Sequence, residues 1–299
     1  MAIIDLLSAS PPILVSICVV LGLLIGSFLN VIVYRLPIVM ERDWKQQCYD
    51  YLEIENAEPR AHLTSEKFEV FNLWKPDSHC LGCNHEIRAW ENIPVLSFVL
   101  LGGKCSKCKM SISVRYPSVE VVTGILSGLV AYTFGATWLT LAVLILTWSL
   151  VVLTLIDFEH QLLPDVITLP LLWLGLLVNT LDFGFGVSLE EAVIGAIAGY
   201  SILWAFYWVF KLATGKEGMG YGDFKLLSAL GAWMGWKSLL LIIGLSSIVC
   251  AILGLIMILA KRSDKSMPIP FGPFLAGAGF IMLIWGPQIS SFYSNAVIG

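Results

Sequence analysis

The stretch VVTGILSGLVAYTFGATWLTLAVLILTWSLVVLTLI, from Val121 to Ile156, contains no charged side chain and decides the fold class. A helix needs about 20 apolar residues to cross the hydrocarbon core of a bilayer. The stretch is long enough for two such helices, joined at TFGAT. It therefore predicts two transmembrane helices in succession.

The rest of the chain repeats this pattern. Of its 299 residues, 57% are hydrophobic and 13% are charged, against about 25% charged in soluble domains. Long uncharged runs predict eight transmembrane helices, at residues 12–34, 117–134, 138–156, 166–182, 189–211, 224–236, 238–260 and 270–290. The sixth is too short to cross alone unless protein shields the glycine-rich segment before it. The expected fold is an all-α polytopic protein of the lipid bilayer with about eight transmembrane helices.

A polar insert from Arg35 to Arg115 separates the first two predicted helices. It contains 11 Lys/Arg and 11 Asp/Glu residues, which indicates a charge-balanced soluble module and no nucleic-acid partner. We therefore divide the chain into a first transmembrane helix, a cytoplasmic insert and a membrane-embedded domain. Their bounds are 1–36, 37–115 and 116–299.

Lysine and arginine residues are concentrated on one side of the predicted topology. The insert and the loops at Lys211–Lys225 and Lys261–Lys265 carry 17 of the 18, and only Lys237 falls on the other side. Cytoplasmic loops of membrane proteins carry the excess of positive charge. The insert and these loops are therefore expected in the cytoplasm.

Four of the seven cysteines form two pairs with the spacing of metal ligands, Cys80-x-x-Cys83 and Cys105-x-x-Cys108. Four thiolates match the tetrahedral preference of Zn²⁺ and leave no open coordination position, so a structural zinc is expected. Unrelated reduced cysteines or a redox pair are the alternative interpretations. His79 and His85 flank the first pair and could also serve as ligands.

Three aspartates lie where predicted helices meet the cytoplasmic surface: Asp157, Asp165 and Asp223. Carboxylates are costly in a bilayer, so each of them is informative. Asp165 follows Pro164 and is expected to cap the fourth helix, and Asp223 could cap the sixth. Asp157 ends the third helix, where a negative charge opposes the helix dipole. Capping does not explain it, although solvation at the interface could.

Asp157 and Asp223 together predict a catalytic pair. Two carboxylates held close in a low-dielectric site cannot both ionise easily, so one of them keeps a proton. The ionised carboxylate could activate water while the protonated one polarises a peptide carbonyl, as in aspartic proteases. Gly220 and Gly222 lack Cβ atoms and would let an extended substrate backbone approach Asp223.

On these residues the chain resembles the bacterial type IV prepilin peptidases, membrane enzymes of the GxGD aspartic protease class. The resemblance covers nearly the whole chain and follows the family's order of motifs. The motifs are GSFLNVIVYRLP at 26–37, the two cysteine pairs with NIPVLSF between them, ISVRYPSVE at 112–120, DFEHQLLPDVITLPLLWLGLLVN at 157–179 and GMGYGDFKLLSALGAWMG at 218–235.

The resemblance implies that the protein cuts the basic leader from prepilins and pseudopilins at the cytoplasmic face of the inner membrane. It also implies N-methylation of the new N-terminal residue with S-adenosylmethionine. By motif match, Asp157 and Asp223 are the catalytic pair and the four paired cysteines hold the zinc. The insert, expected to contain the methyltransferase region, has no Gly-x-Gly-x-x-Gly in a βαβ setting, so a Rossmann-type site is not expected.

Two other functions remain open at this point. One is a GxGD intramembrane peptidase without methyltransferase activity. The other is a non-catalytic membrane scaffold whose zinc module docks components of a secretion system. Cleavage of a prepilin separates the scaffold from both peptidases, and a methyl group on the mature pilin separates the two peptidases from each other.

Overall fold

The computed structural model describes residues 10–52, 71–80, 82–183, 185–259 and 269–297. These residues form helices and contain no β-strand, only two isolated bridges. The helices are α1 (Pro11–Tyr51), a 3-10 helix (Ala89–Asn92), α2 (Leu96–Leu100), α3 (Arg115–Phe134), α4 (Trp138–His160), α5 (Asp165–Thr180), α6 (Leu189–Thr214), α7 (Tyr221–Met234), α8 (Trp236–Leu259) and α9 (Gly272–Val297).

A helix lies at each of the eight predicted transmembrane positions, and the all-α membrane fold is confirmed. Six of these helices are long and apolar enough to cross a membrane: α1, α3, α4, α6, α8 and α9. Helices α5 and α7 have 16 and 14 residues, fewer than the about 20 that a crossing needs. The count of eight transmembrane helices is therefore not confirmed.

Helix α1 is longer than the sequence predicts, because it continues through Pro37 to Tyr51. An internal proline removes one helical hydrogen bond. Beyond it, Lys45 pairs with Glu41 at 2.5 Å, and Gln46 donates a 2.7 Å hydrogen bond to Asp50. Pairs four residues apart stabilise a solvated helix. The first part of the predicted insert, residues 37–51, is therefore helical.

The described residues belong to two compact units. The N-terminal unit comprises the described residues between 15 and 129, and the C-terminal unit comprises those described within 1–14 and 130–299. In the N-terminal unit, α1 and α3 pack closely through glycines. A Cβ at Gly22 would lie 2.5 Å from Ser127 Oγ, and one at Gly26 would lie 2.7 Å from the Cα of Glu120. Small residues four positions apart allow such close contact between membrane helices.

Helix α7 is the buried helix of the C-terminal unit. From Asp223 to Met234, every residue except Lys225 is buried. Gly231 of α7 and Gly195 of α6 meet backbone to backbone, and neither position has room for a Cβ atom. Neighbouring helices therefore shield this short helix, but the glycine-rich segment before it, which the sequence analysis required to be shielded, is largely exposed.

The C-terminal end of α7 has its own hydrogen-bond donor. Asn179 Nδ2, from α5, donates to the carbonyl oxygens of Ala232 at 2.8 Å and Trp233 at 3.1 Å. The last four carbonyls of a helix have no partner within it. Asn179 supplies one to the buried residues Ala232 and Trp233, so α7 can end inside the protein.

Candidate active site and metal centre

Asp157 lies in the last turn of α4 and is 6% exposed. The helix ends at His160, and Gln161 turns the chain in the left-handed conformation. The amide N–H of Gly272, the first residue of α9, donates a 3.1 Å hydrogen bond to Asp157 Oδ2. A helix N-terminus has unpaired N–H groups and a partial positive charge. It therefore compensates for the unfavourable position of Asp157 at the end of its own helix.

Asp223 is the third residue of α7 and is 7% exposed. The Asp223 N–H donates a 3.3 Å hydrogen bond to the carbonyl of Gly220, just before the helix. One carboxylate oxygen, Asp223 Oδ1, is buried and has no hydrogen-bond partner in the part of the chain that the structure describes. A buried acceptor without a donor is costly. This oxygen is therefore available to a water molecule or a substrate group.

The structure brings Asp157 and Asp223 together from different helices of the C-terminal unit. The two carboxylates are close enough for the charge of Asp157 to act on Asp223. Leu163, from the loop between α4 and α5, packs against both Gly222 and Gly272, the neighbours of the two aspartates. Leu163 thus places an apolar side chain beside both aspartates.

The two glycines of the GxGD motif have different surroundings. A Cβ at Gly220 would have Asp223 Oδ2 as its nearest neighbour, at 3.7 Å, and the residue is exposed. A Cβ at Gly222 would lie 2.7 Å from the Cβ of Leu163. Gly222 therefore gives Leu163 room, which the sequence analysis did not foresee. Approach of a substrate backbone remains a prediction for both glycines and is sterically simplest at Gly220.

The expected capping role of Asp165 is wrong. Pro164 occupies the cap position, and Asp165 is the first residue of α5. Its carboxylate instead accepts hydrogen bonds from Lys225 Nζ at 2.7 Å to each oxygen. Pro164 marks the start of a helix, which is why Asp165 looked like a cap. Its carboxylate binds the charged ammonium group of Lys225 instead of the backbone N–H groups of α5.

The four paired cysteines form one cluster in the N-terminal unit. Their sulfur atoms all lie within 4.8 Å of one another. Cys80 and Cys108 are 3.7 Å apart, and Cys83 and Cys105 are 3.9 Å apart. A tetrahedral zinc with Zn–S bonds of about 2.3 Å needs sulfurs about 3.8 Å apart. The cluster therefore fits a four-coordinate metal ion.

The two cysteine pairs have the same backbone conformation and the same backbone hydrogen bond. The N–H of Cys80 donates to the carbonyl of His85, and that of Cys105 donates to the carbonyl of Met110, five residues on in each case. Asn84 and Lys109 follow the second cysteine of each pair, with φ of 54° and 61°. Each pair thus forms a tight turn that directs both of its sulfurs to the centre.

The flanking histidines have other partners. His79 Nδ1 lies 3.0 Å from the carbonyl oxygen of Asp77, and His85 Nε2 lies 3.3 Å from Glu91 Oε2. Hydrogen bonds from Ser106 and the backbone of Arg88, with the nearby imidazole, hold the pKa of Glu91 below its ordinary value. The alternative in which a histidine is a ligand is therefore not supported.

Sequence reasoning missed Leu163, Lys225 and Gly272 as parts of the site. Lys225 was used only to assign a side of the membrane, and Gly272 fell inside the last predicted apolar helix. The segment IPFGPF at 269–274 carried a signal, since prolines favour the first turn of a helix. This signal marks the start of α9, but it does not reveal that the N–H of Gly272 binds Asp157, 115 residues earlier.

Two family models match the chain. The model described as the bacterial peptidase A24 N-terminal domain matches residues 20–134. The model described as the type IV leader peptidase family matches residues 144–255. The first range contains the four-cysteine cluster, and the second contains both buried aspartates.

Relatives with the same pattern cover almost the whole chain. Each is called a prepilin leader peptidase/N-methyltransferase. The relative from Stutzerimonas stutzeri is 54% identical, over 97% of this chain and 97% of its own length. That from Pseudomonas aeruginosa is 54% identical over 98% of each, and that from Neisseria gonorrhoeae is 50% identical over 92% of each. No solved structure matches the chain.

Proposed function

The chain belongs to the type IV leader peptidase family, and we propose that it removes the leader peptide of prepilins and pseudopilins and then N-methylates the new N-terminal residue. The observation that carries the peptidase is the pair of buried aspartates, Asp157 and Asp223, within the residues that match the leader peptidase model. The methyltransferase activity is supported by the names of relatives that match over 92–98% of the chain.

The peptidase reaction follows from a pair that shares one proton. The ionised carboxylate takes a proton from water as the water oxygen bonds to the scissile carbonyl carbon. The protonated carboxyl gives its proton to the carbonyl oxygen, which produces a neutral tetrahedral diol. When the C–N bond breaks, the first carboxyl protonates the leaving nitrogen and the second takes a proton back from the diol. The pair is then restored, with no metal and no covalent intermediate.

The exposed backbone beside Asp223 supports an extended substrate. Gly220 precedes α7, is exposed, and a Cβ there would have no neighbour closer than Asp223 Oδ2 at 3.7 Å, so a substrate strand can lie against it. The unpaired Oδ1 of Asp223 then has a partner in the water or carbonyl that reacts. Gly220 and the Asp157–Asp223 pair thus define where the scissile bond is bound.

We assign this end of the C-terminal unit to the cytoplasm of a bacterial inner membrane. Lys211, Lys216 and Lys225 lie at the same helix ends as the aspartates. At the opposite ends, Lys237 is neutralised by Glu191 at 2.6 Å. This asymmetry agrees with the excess of positive charge in cytoplasmic loops. The basic leader of a prepilin would then reach the pair from the side on which it is synthesised.

Zinc is the metal that best suits the four-cysteine cluster. Cys80, Cys83, Cys105 and Cys108 would hold it, and four thiolates leave no position open for a substrate. The ion would cross-link the two cysteine turns of the insert. The described residues around it form short helices and turns, with no βαβ unit, so they do not fit a Rossmann-type site for S-adenosylmethionine. We assign methyl transfer to the insert region without assigning residues that bind the methyl donor.

Purified protein in proteoliposomes, supplied with a prepilin and S-adenosylmethionine, tests the proposal. Mass spectrometry should find the mature pilin without its leader and with one added methyl group. A cleaved but unmethylated product would leave only a peptidase. An uncleaved prepilin would contradict the enzyme and favour a scaffold.

A further inference from the structure

The N-terminus of α9 enters the peptidase site through Gly272. This residue is buried, and its N–H donates the 3.1 Å hydrogen bond to Asp157 Oδ2. Phe271 provides the carbonyl that closes the first turn, accepting from Phe274 at 3.1 Å and Leu275 at 3.2 Å. Pro273 has no N–H. The amide of Gly272 is thus a donor of the first turn that the helix itself does not use.

The position has no room for any side chain. A Cβ at Gly272 would lie 2.6 Å from Asp157 Oδ2 and 3.2 Å from its Cγ. On the other side, Leu163 Cδ1 would be 3.1 Å away. The backbone of Gly272 is not in the left-handed region, so conformation does not demand glycine. Space beside the carboxylate does.

The hydrogen bond and the missing Cβ act on the same oxygen. The amide fixes Asp157 Oδ2, and the absent side chain lets the carboxylate come within reach of that amide. Leu163 also packs against Gly222, which adjoins Asp223. A side chain at position 272 that displaces Asp157 or Leu163 therefore changes the positions of both carboxylates.

We propose, on the premise that Asp157 and Asp223 are the catalytic pair, that Gly272 is a positioning residue of the peptidase. It acts through Asp157. The N–H of Gly272 orients the Asp157 carboxylate toward Asp223, and the missing side chain leaves space for that carboxylate. It does not touch the substrate. Its substitution should therefore slow the chemical step and leave prepilin binding intact.

The test compares Gly272→Ala with Gly277→Ala in the full-length protein in proteoliposomes. Gly277 lies in the same helix, and a Cβ there meets no atom within 4 Å. Gly272→Ala should lower kcat for leader removal about 100-fold, the scale of a 1 Å misplacement in an active site. The KM for the prepilin should be unchanged, and Gly277→Ala should match the wild type in both constants.

Two further measurements separate positioning from folding. Gly272→Ala should unfold at a lower temperature than Gly277→Ala, because its new Cβ crowds a buried position, but it should stay folded at the assay temperature and should still methylate a pilin that has already been cleaved. A wild-type kcat in Gly272→Ala would overturn the inference. So would a loss of kcat accompanied by unfolding or by loss of methylation.

A parallel Asp157→Asn variant separates this inference from the proposed function. If Asp157→Asn is inactive while Gly272→Ala is fully active, only the positioning role is wrong. If Asp157→Asn is itself active, the catalytic pair is wrong and the positioning role has no basis.

Discussion

Lys225 Nζ lies 2.7 Å from both carboxylate oxygens of Asp165, a residue 60 positions earlier in the chain. The pair joins the first residue of α5 to the fifth residue of α7, two residues after Asp223. The loop between α4 and α5, which carries Leu163, is therefore fastened to the helix that carries Asp223, one of the two carboxylates proposed to be catalytic.

Exchange of these charges tests the connection. Asp165→Lys and Lys225→Asp each place like charges side by side, so each should lower kcat/KM for leader removal. A partly exposed ion pair contributes ~0.5–1 kcal/mol, which corresponds to a loss of about two- to fivefold. The double exchange should recover most of that loss. If the loss of kcat/KM in the double variant equals the sum of the losses in the two single variants, expressed as free energies, the two residues do not act as a pair.

The hydrogen bonds from Asn179 to the end of α7 should contribute to stability. Asn179→Leu leaves the carbonyls of Ala232 and Trp233 without this donor, at a cost of about 1–3 kcal/mol for a buried polar group left unpaired. Thermal unfolding in detergent should therefore begin at a lower temperature. Thr180→Val is the matched control, because its exposed hydroxyl donates only to Leu176 of its own helix. Equal unfolding temperatures for the two variants would contradict the prediction.

The two glycines of the motif should respond differently to alanine. Gly222→Ala pushes against Leu163, so it should lower both the unfolding temperature and kcat. Gly220→Ala places its methyl group no closer than 3.7 Å to another atom, Asp223 Oδ2, and the backbone φ of −82° is one that alanine readily adopts. It should fold normally and raise the KM for the prepilin, because the new methyl group lies where the substrate backbone approaches. An unchanged KM in Gly220→Ala would remove Gly220 from the substrate-binding surface.

Metal content should depend on the clustered cysteines alone. Cys80→Ser or Cys105→Ser should release about one zinc ion per chain, as expected for a closed four-thiolate site. Cys48→Ser is the control, since this exposed cysteine lies outside the cluster. Elemental analysis of the purified protein measures the ratio. Zinc that stays bound in both cluster variants would reject these ligands.

The positions of the helices were predictable because hydrophobicity alone marks an apolar segment. The short α5 and α7 were found in this way, but their lengths depend on neighbours: Asn179 and the Gly195–Gly231 contact allow α7 to end inside the protein. The extension of α1 beyond Pro37 was missed because a proline and polar residues are typical of a helix end. There, pairs such as Lys45 with Glu41 stabilise the helix instead.

The chemistry of the site was predictable where residue type and spacing define it. The paired cysteines and the aspartate of the GxGD motif carry such signals, and the structure brings each set together. Gly272 and Leu163 carry none, since a backbone amide and an apolar side chain gain their roles only from tertiary contacts. Asp165 shows the same limit, because Lys225 reaches it only after α5 and α7 have packed.

The most direct measurement is leader removal from a prepilin by Asp157→Asn and Asp223→Asn proteins in proteoliposomes. Each amide keeps the shape of the side chain and cannot exchange the proton that water activation needs. Cleavage should fall at least about 100-fold in both variants, while zinc content and methylation of an already cleaved pilin stay at wild-type levels. Full cleavage by either variant would contradict the catalytic pair.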